Sequence, residues 1–457
     1  MSKKSLIEKI FSAPAEVLEK TVEVGVDIEQ SLAEEKPVKV AKKYWDILGP
    51  GLVTGAADDD PSGIATYSQV GAHKGFGLIW LSLFSFPLML TIQEMCARIG
   101  LATGVGLASN IRTYYSKKIL YICTLLLLFA NVFNIGADLG AMAKATELLL
   151  PAIPFTFLIF FFALVSLFLQ IFVPYKNYAK YLKYLTFVLF AYVATALSVE
   201  MNWSEVLHHT FVPQFAFTKD EIILLCAVLG TTISPYLFFW QSSQEVEEQI
   251  LHGEKTIEER RSSNHQEDIK NMRIDVTSGM FISNLIMFFI IAACAATLYA
   301  NGLTDIKTAE DAALALRPFA GDFAYVLFTL GILGTGMLAI PILAGSASYA
   351  ISEAFGWKTG LYRKLKQARA FYGVIIVAMF LGLMLNFVGL DPIQALIYAA
   401  LLNGIISPVM IFFIVQLSGK QEVMGDFKNS KILNLVGWFT FGVISLVGIG
   451  AIVSLLY

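Results

Sequence analysis

The chain alternates long apolar runs with short polar stretches. Eleven of the runs reach the roughly 20 residues needed to cross a hydrocarbon core as a helix. Their limits are 47–72, 76–99, 119–150, 153–173, 181–200, 221–245, 274–300, 318–352, 370–389, 392–418 and 434–456. Two runs break inside. The first is interrupted by Asp58-Asp59-Asp60-Pro61-Ser62-Gly63, the sixth by Ser234-Pro235-Tyr236. The pattern predicts an all-α polytopic membrane protein with broken helices 1 and 6.

Lys and Arg set the orientation. With the N-terminus inside, Lys36, Lys39, Lys42 and Lys43 precede span 1 on the cytoplasmic side. The same side receives Arg112, Lys117, Lys118, Lys176, Lys180 and Lys183, and the basic loops 246–273 and 355–369. The opposite loops carry only Lys74, Lys219, Lys307 and Arg317. The N-terminus is therefore expected in the cytoplasm and the C-terminus outside. Span 1 then runs outward and span 6 inward, so spans 1–5 (46–200) and 6–10 (201–420) read as inverted repeats, with span 11 (421–457) appended. Residues 1–45 carry no apolar core of a cleavable signal. They are expected to form a cytoplasmic amphipathic segment lying on the membrane, with a loosely ordered tail as the alternative.

Composition agrees: 56% of residues are hydrophobic and 15% charged. A net charge of −3 gives no reason to expect a nucleic-acid partner. Cys96, Cys123, Cys226 and Cys294 sit in apolar runs at unrelated spacings, which suits buried hydrophobes better than a disulfide or zinc framework.

The acids at the first break are the candidate chemistry. A carboxylate at mid-membrane costs about 2.5–3.5 kcal/mol on insertion scales, so three consecutive ones need a cation or water. Pro61 removes a donor and disfavours helix at Asp60, which should free the carbonyl of Ala57. Pro235 should likewise free that of Thr231. Asp60, Ala57, Gly63, Thr231, Ser234, Asp59 and Asp58 form the candidate metal set. Of Asp58 and Asp59, one is expected to face a vestibule and one to cap a half-helix. All these donors are oxygens, which suits hard cations such as Mg²⁺, Ca²⁺ and Mn²⁺. Asp138, deep in span 3, is a candidate proton or cation relay, and its plainer reading is a partner for a buried polar group. Tyr236, Gln241 and Asn403 are candidates to line the cavity. Asn284 is another, although intramembrane Asn often only bonds across helices. Glu94 with Arg98, and Lys144 with Glu147, read as interfacial pairs.

These residues carry a resemblance. Gly49-Pro50-Gly51 with Asp60-Pro61-Ser62-Gly63-Ile64-Ala65-Thr66 resembles the first-span signature of the NRAMP divalent-metal transporters. Gln93 to Gly100 with Thr103-Gly104, Ala137-Asp138-Leu139-Gly140, and Gly230 to Tyr236 resemble that family's second-, third- and sixth-span motifs. The likeness covers about residues 44–420. It implies a LeuT-type fold, alternating access and a divalent metal ion as the partner, with no resident cofactor. The departures are chemical. The family's Asp-Pro-Gly-Asn is Asp-Pro-Ser-Gly here, so Gly63 replaces an amide ligand. Its Met-Pro-His is Ser-Pro-Tyr, so Ser234 replaces the thioether and Tyr236 the first His. Gln241 stands for a second His, and Ala141 for an acid after Asp138. Asp60 alone is retained among the metal-binding side chains.

Losing the thioether lowers preference for transition metals, and smaller Gly63 and Ser234 should widen the site for an ion that keeps its waters. This resembles the NRAMP-related magnesium transporters. The leading expectation is a Mg²⁺ (and Mn²⁺) importer without proton coupling, acting as a monomer in a plasma membrane, a bacterial inner membrane by preference. The alternative is a proton-coupled Mn²⁺/Fe²⁺ symporter; an organic-cation symporter of the same fold follows. An intramembrane aspartyl protease would need two converging carboxylates, and neither Asp60 nor Asp138 has that setting.

Overall fold

A computed structural model describes residues 44–45, 47–173, 190–262 and 266–456. The amphipathic segment expected over 1–45, and residues 181–189 of span 5, lie almost wholly or wholly outside the described residues.

Every regular element among the described residues is helical. Eight helices are long and apolar enough to cross a membrane. They are span 2 (Trp80–Thr103), span 3 (Lys117–Leu149), span 4 (Phe155–Phe172), span 6 (Lys219–Leu251, broken), span 7 (Gln266–Thr297), span 8 (Ala324–Phe355), span 10 (Pro392–Gly419) and span 11 (Lys431–Leu456). Span 9 is the shorter apolar helix Arg369–Leu385, and Phe190–Ser198 is the described part of span 5. Span 7 begins eight residues before the expected 274, because the charged stretch from Gln266 continues the helix beyond its apolar part.

Span 1 consists of half-helix 1a (Pro50–Asp58) and half-helix 1b (Pro61–Lys74). Span 6 consists of 6a (Lys219–Thr232) and 6b (Pro235–Leu251). In each, Pro opens the second half and the residue before it is extended: Asp60 at φ −64°, ψ 173° and Ser234 at φ −83°, ψ 134°. The ring removes a donor and excludes helical torsions one residue upstream.

The broken helices sit at the centre because small residues let backbones touch. A Cβ at Gly55 would lie 2.3 Å from the Gly279 carbonyl oxygen, which presses 1a on span 7. A Cβ at Gly71 would lie 2.5 Å from the Ile291 oxygen, and one at Gly100 2.3 Å from the Ser242 oxygen. Thus 1b packs on span 7 as 6b packs on span 2, the pairing expected of two related repeats. A Cβ at Gly230 would lie 2.1 Å from the Ala400 oxygen, joining 6a to span 10. Exposed Leu125, Phe129, Phe157, Phe168, Phe380 and Leu446 supply the apolar outer surface that a bilayer solvates.

Candidate metal site at the two helix breaks

Asp60 has both oxygens engaged. Its Oδ1 accepts from Gly63 N (2.7 Å) and Ser62 Oγ (2.6 Å), capping half-helix 1b. Its Oδ2 accepts from Asn134 Nδ2 at 3.0 Å. The same nitrogen donates to Asp138 Oδ2 at 3.1 Å, and Asn134 Oδ1 accepts from Asn403 Nδ2 at 3.3 Å. A chain therefore runs from the first break through span 3 to span 10. Asn134 is a member of the site that the candidate set from the sequence lacks. Its signal was its place four residues before Asp138, on the same helix face.

The other expectations resolve as follows. The Ala57 carbonyl is not free: Tyr236 Oη of 6b donates to it at 2.8 Å. The Thr231 carbonyl is not free either. Ser234 Oγ lies 2.7 Å from both it and the Gly230 carbonyl, and Ser407 Oγ donates to the Ile233 carbonyl at 2.6 Å. Proline took away one donor at each break, and a hydroxyl replaces it. Asp58 and Asp59 neither face a vestibule nor cap a half-helix. Both are buried against span 7, where Ser283 Oγ is 2.7 Å from Asp58 Oδ2 and 3.4 Å from Asp59 Oδ1. Gly63 opens no extra space in this conformation, since a Cβ there would meet the Asp58 carbonyl at 3.0 Å and Thr231 Oγ1 at 3.2 Å. Gln241 is away from the breaks: it accepts from Thr54 of 1a (2.6 Å) and donates to Glu245 (2.8 Å). Asn284 bonds to Ser85 (2.8 Å) and the Met280 carbonyl, a contact between helices. Glu94–Arg98 and Lys144–Glu147 do form ion pairs, the second at 2.8 Å.

Around Asp60, four buried oxygens have no hydrogen-bond partner: Asp138 Oδ1, Asn403 Oδ1, Thr231 Oγ1 and Asp58 Oδ1. Asp58, Asp59, Asp60 and Asp138 are each at most 1% exposed, and among the described residues no Lys or Arg pairs with them. Unpartnered buried acceptors cost about 1–3 kcal/mol each, more when charged. Such a group is complementary to a cation. At the far end of 1b, a cavity of about 490 Å³ is lined by Gln69, His73, Asp220, Asp305, Gln394 and Tyr398 among others. Gln69 lies nine residues beyond Asp60, so about 13 Å of helix separates cavity and site.

The comparisons with known proteins fit this geometry. The family described as natural resistance-associated macrophage protein-like (Nramp) matches residues 51–454. A protein of Caldanaerobacter subterraneus named divalent metal cation transporter MntH is 25% identical over 87% of this chain and 90% of its own length. One of the same name from Erwinia tasmaniensis is 24% identical over 90% and 93%. The solved structure of the Eremococcus coleocola manganese transporter, in complex with an aromatic bis-isothiourea substituted compound, superposes with TM-score 0.71 at 19% identity. It covers 91% of this chain and 88% of that one. The inward-facing conformation of Mhp1 superposes at TM-score 0.53 and 13% identity, covering 89% of each chain.

Proposed function

The chain belongs to the Nramp family, and from that membership and the geometry at the breaks we infer that it carries divalent metal cations across a membrane by alternating access. The observation that supports this most is the group of buried, unpartnered oxygens around Asp60. We propose Mg²⁺, with Mn²⁺, as the substrate, moved without proton coupling and in the uptake direction. The donors to hand are Asp60 Oδ2, Asp138 Oδ1, Asn403 Oδ1 and Thr231 Oγ1. The Ala57 and Thr231 carbonyls would join if their hydroxyl partners turned away. Oxygen donors suit hard ions, and neither break sequence contains a Met, His or Cys to select a softer one; the thioether of Met287 in span 7 reaches the Thr232 hydroxyl at 4.0 Å, not the group around Asp60. Asp58 and Asp59 act on this reading as the field behind the site, not as ligands.

Coupling to protons is not required energetically. One charge crossing 100 mV is worth about 2.3 kcal/mol, so a divalent ion gains roughly 4.6, enough for more than about 10³-fold accumulation. The membrane orientation we propose follows the basic loops, N-terminus in the cytoplasm, with the monomer as the transporting unit.

A second reading rests on one observation. Asp138 is joined to Asp60 through a single residue, so a proton-coupled Mn²⁺ symporter keeps an acid in reach of the site. Liposomes loaded with a Mg²⁺ indicator, beside a set loaded with a pH dye, separate the two. Mg²⁺ entry with no acidification is expected. Mn²⁺ entry with acidification, and exclusion of Mg²⁺, would overturn the proposal in favour of the second reading.

A further inference from the structure

Asn134 has no titratable group, yet its side chain joins Asp60 at the first break to Asp138 of span 3 and Asn403 of span 10. We propose that Asn134 is the positioning residue of the site: its amide holds Asp60 and Asp138 as a pair, so that one divalent ion meets both carboxylates. This deepens the functional reading above and rests on it.

Asp60 can offer an ion only one of its two oxygens. Its Oδ1 is committed to the cap of 1b, with Gly63 N and Ser62 Oγ both within 2.7 Å. Only Oδ2 can turn to an ion without uncapping the helix. That oxygen is held by Asn134, whose nitrogen is also within 3.1 Å of Asp138 Oδ2. An amide nitrogen carries two hydrogens, one for each carboxylate, and has none to spare. The amide oxygen is fixed in turn by Asn403. The side chain, buried completely, therefore cannot rotate without breaking contacts to three spans.

Two carboxylates on one nitrogen repel each other in a poorly screened interior. Two neutral N–H dipoles offset that only in part. A doubly charged cation offsets the remaining repulsion more strongly than a singly charged one. Asn134 thus places together the two charges that favour a divalent ion. The unpartnered Oδ1 of Asp138 and Oδ1 of Asn403 are the free lone pairs of the two groups that Asn134 fixes.

The test is a double-mutant cycle on the purified full chain in detergent, with Mg²⁺ affinity read by calorimetry. Asn134→Ala is expected to weaken binding about tenfold, as loss of a charge-assisted hydrogen bond does. Asp138→Asn should weaken it similarly. The double variant should lose less than the two single losses combined, because part of what Asn134 contributes is the placing of Asp138. A purely structural role for Asn134 would give additive losses, and additivity overturns the proposal. Asn134→Ser, which keeps one donor, should fall between wild type and Asn134→Ala. It also provides the measurement should Asn134→Ala not fold, and wild-type affinity in Asn134→Ser would likewise overturn the proposal. Failure of wild type itself to bind Mg²⁺ or Mn²⁺ would count against the functional reading, a result distinct from additivity.

Discussion

The two breaks share a cause and differ in what holds them. Each ends a half-helix before Pro, and at each the carbonyl stripped of its donor receives a hydroxyl. The sixth-span break relies less on its neighbours: Ser234 supplies that hydroxyl from the break itself and 6a is capped by its own Thr218, while Ser407 of span 10 holds only the Ile233 carbonyl and Tyr67 of 1b meets the Thr232 hydroxyl. The first-span break depends on its neighbours. Tyr236 of span 6 holds Ala57, Ser283 of span 7 holds Asp58, and Asn134 of span 3 holds Asp60. Even the start of 1a is capped from span 7, where Asp275 accepts from Gly51 N (2.6 Å) and Leu52 N (2.9 Å). The break that carries the charge is the one wired to the rest of the bundle. A change at the first break can therefore reach spans 3, 6 and 7, whereas the Ser234 hydroxyl serves only carbonyls of its own half-helix.

The comparison breaks hardest at Asp60. Asp60→Ala removes the carboxylate that the bundle is built around, and uptake in liposomes should fall to background. A loss of at least about 100-fold is expected, since changes one layer out from a metal already cost 10–100-fold. Normal uptake would remove Asp60 from the site. Ser234→Met should act within its own break. It adds a thioether and deprives the Thr231 carbonyl of its donor, so competition assays should show preference moving towards Mn²⁺ or Cd²⁺ over Mg²⁺ by about tenfold or more. An unchanged ranking would sink the argument from ligand softness.

How much of this was legible beforehand follows the same division. The breaks were read from Pro61 and Pro235, because proline acts on its own backbone and needs no neighbour. The oxygen-only donor set was equally local. What sequence spacing did not show were the contacts between spans. Tyr236 on Ala57 joins residues 179 apart, and Ser283 on Asp58 residues 225 apart, so nothing in the local pattern marks them. The acids were therefore given wrong neighbours: capping falls to Asp60, and Asp58 and Asp59 turn to span 7. Asn134 is the exception, being recoverable from its spacing to Asp138.

Asp275 sharpens the comparison by stability. Asp275→Ala leaves the first two amides of the broken helix without their acceptor, at a cost of about 1–2 kcal/mol, the usual value of a lost helix cap. Thermal unfolding in detergent should show a lower midpoint. The corresponding change at the other break, Thr218→Ala, should cost less, since its hydroxyl is 3.4 Å from Glu221 N in a partly exposed cap. Equal losses would remove the distinction between a break held mainly by its neighbours and one that leans on them less.

The smallest expected effect is at Tyr236, and it has the opposite sign. Its hydroxyl competes with an ion for the Ala57 carbonyl, because that oxygen is occupied while Tyr236 donates to it. Tyr236→Phe leaves the carbonyl buried and unpartnered, which raises the energy of this conformation relative to any in which the oxygen meets a cation. Mg²⁺ affinity should rise, by about twofold if about half a kcal/mol of the penalty survives relaxation. Calorimetry on Tyr236→Phe checks it, with Ser283→Ala as the control, since that hydroxyl serves Asp58 and leaves the Ala57 carbonyl untouched. Weaker binding in Tyr236→Phe would mean that the tyrosine supports the ion site rather than shielding it, and the first break would then be held open, not shut, by its neighbour in span 6.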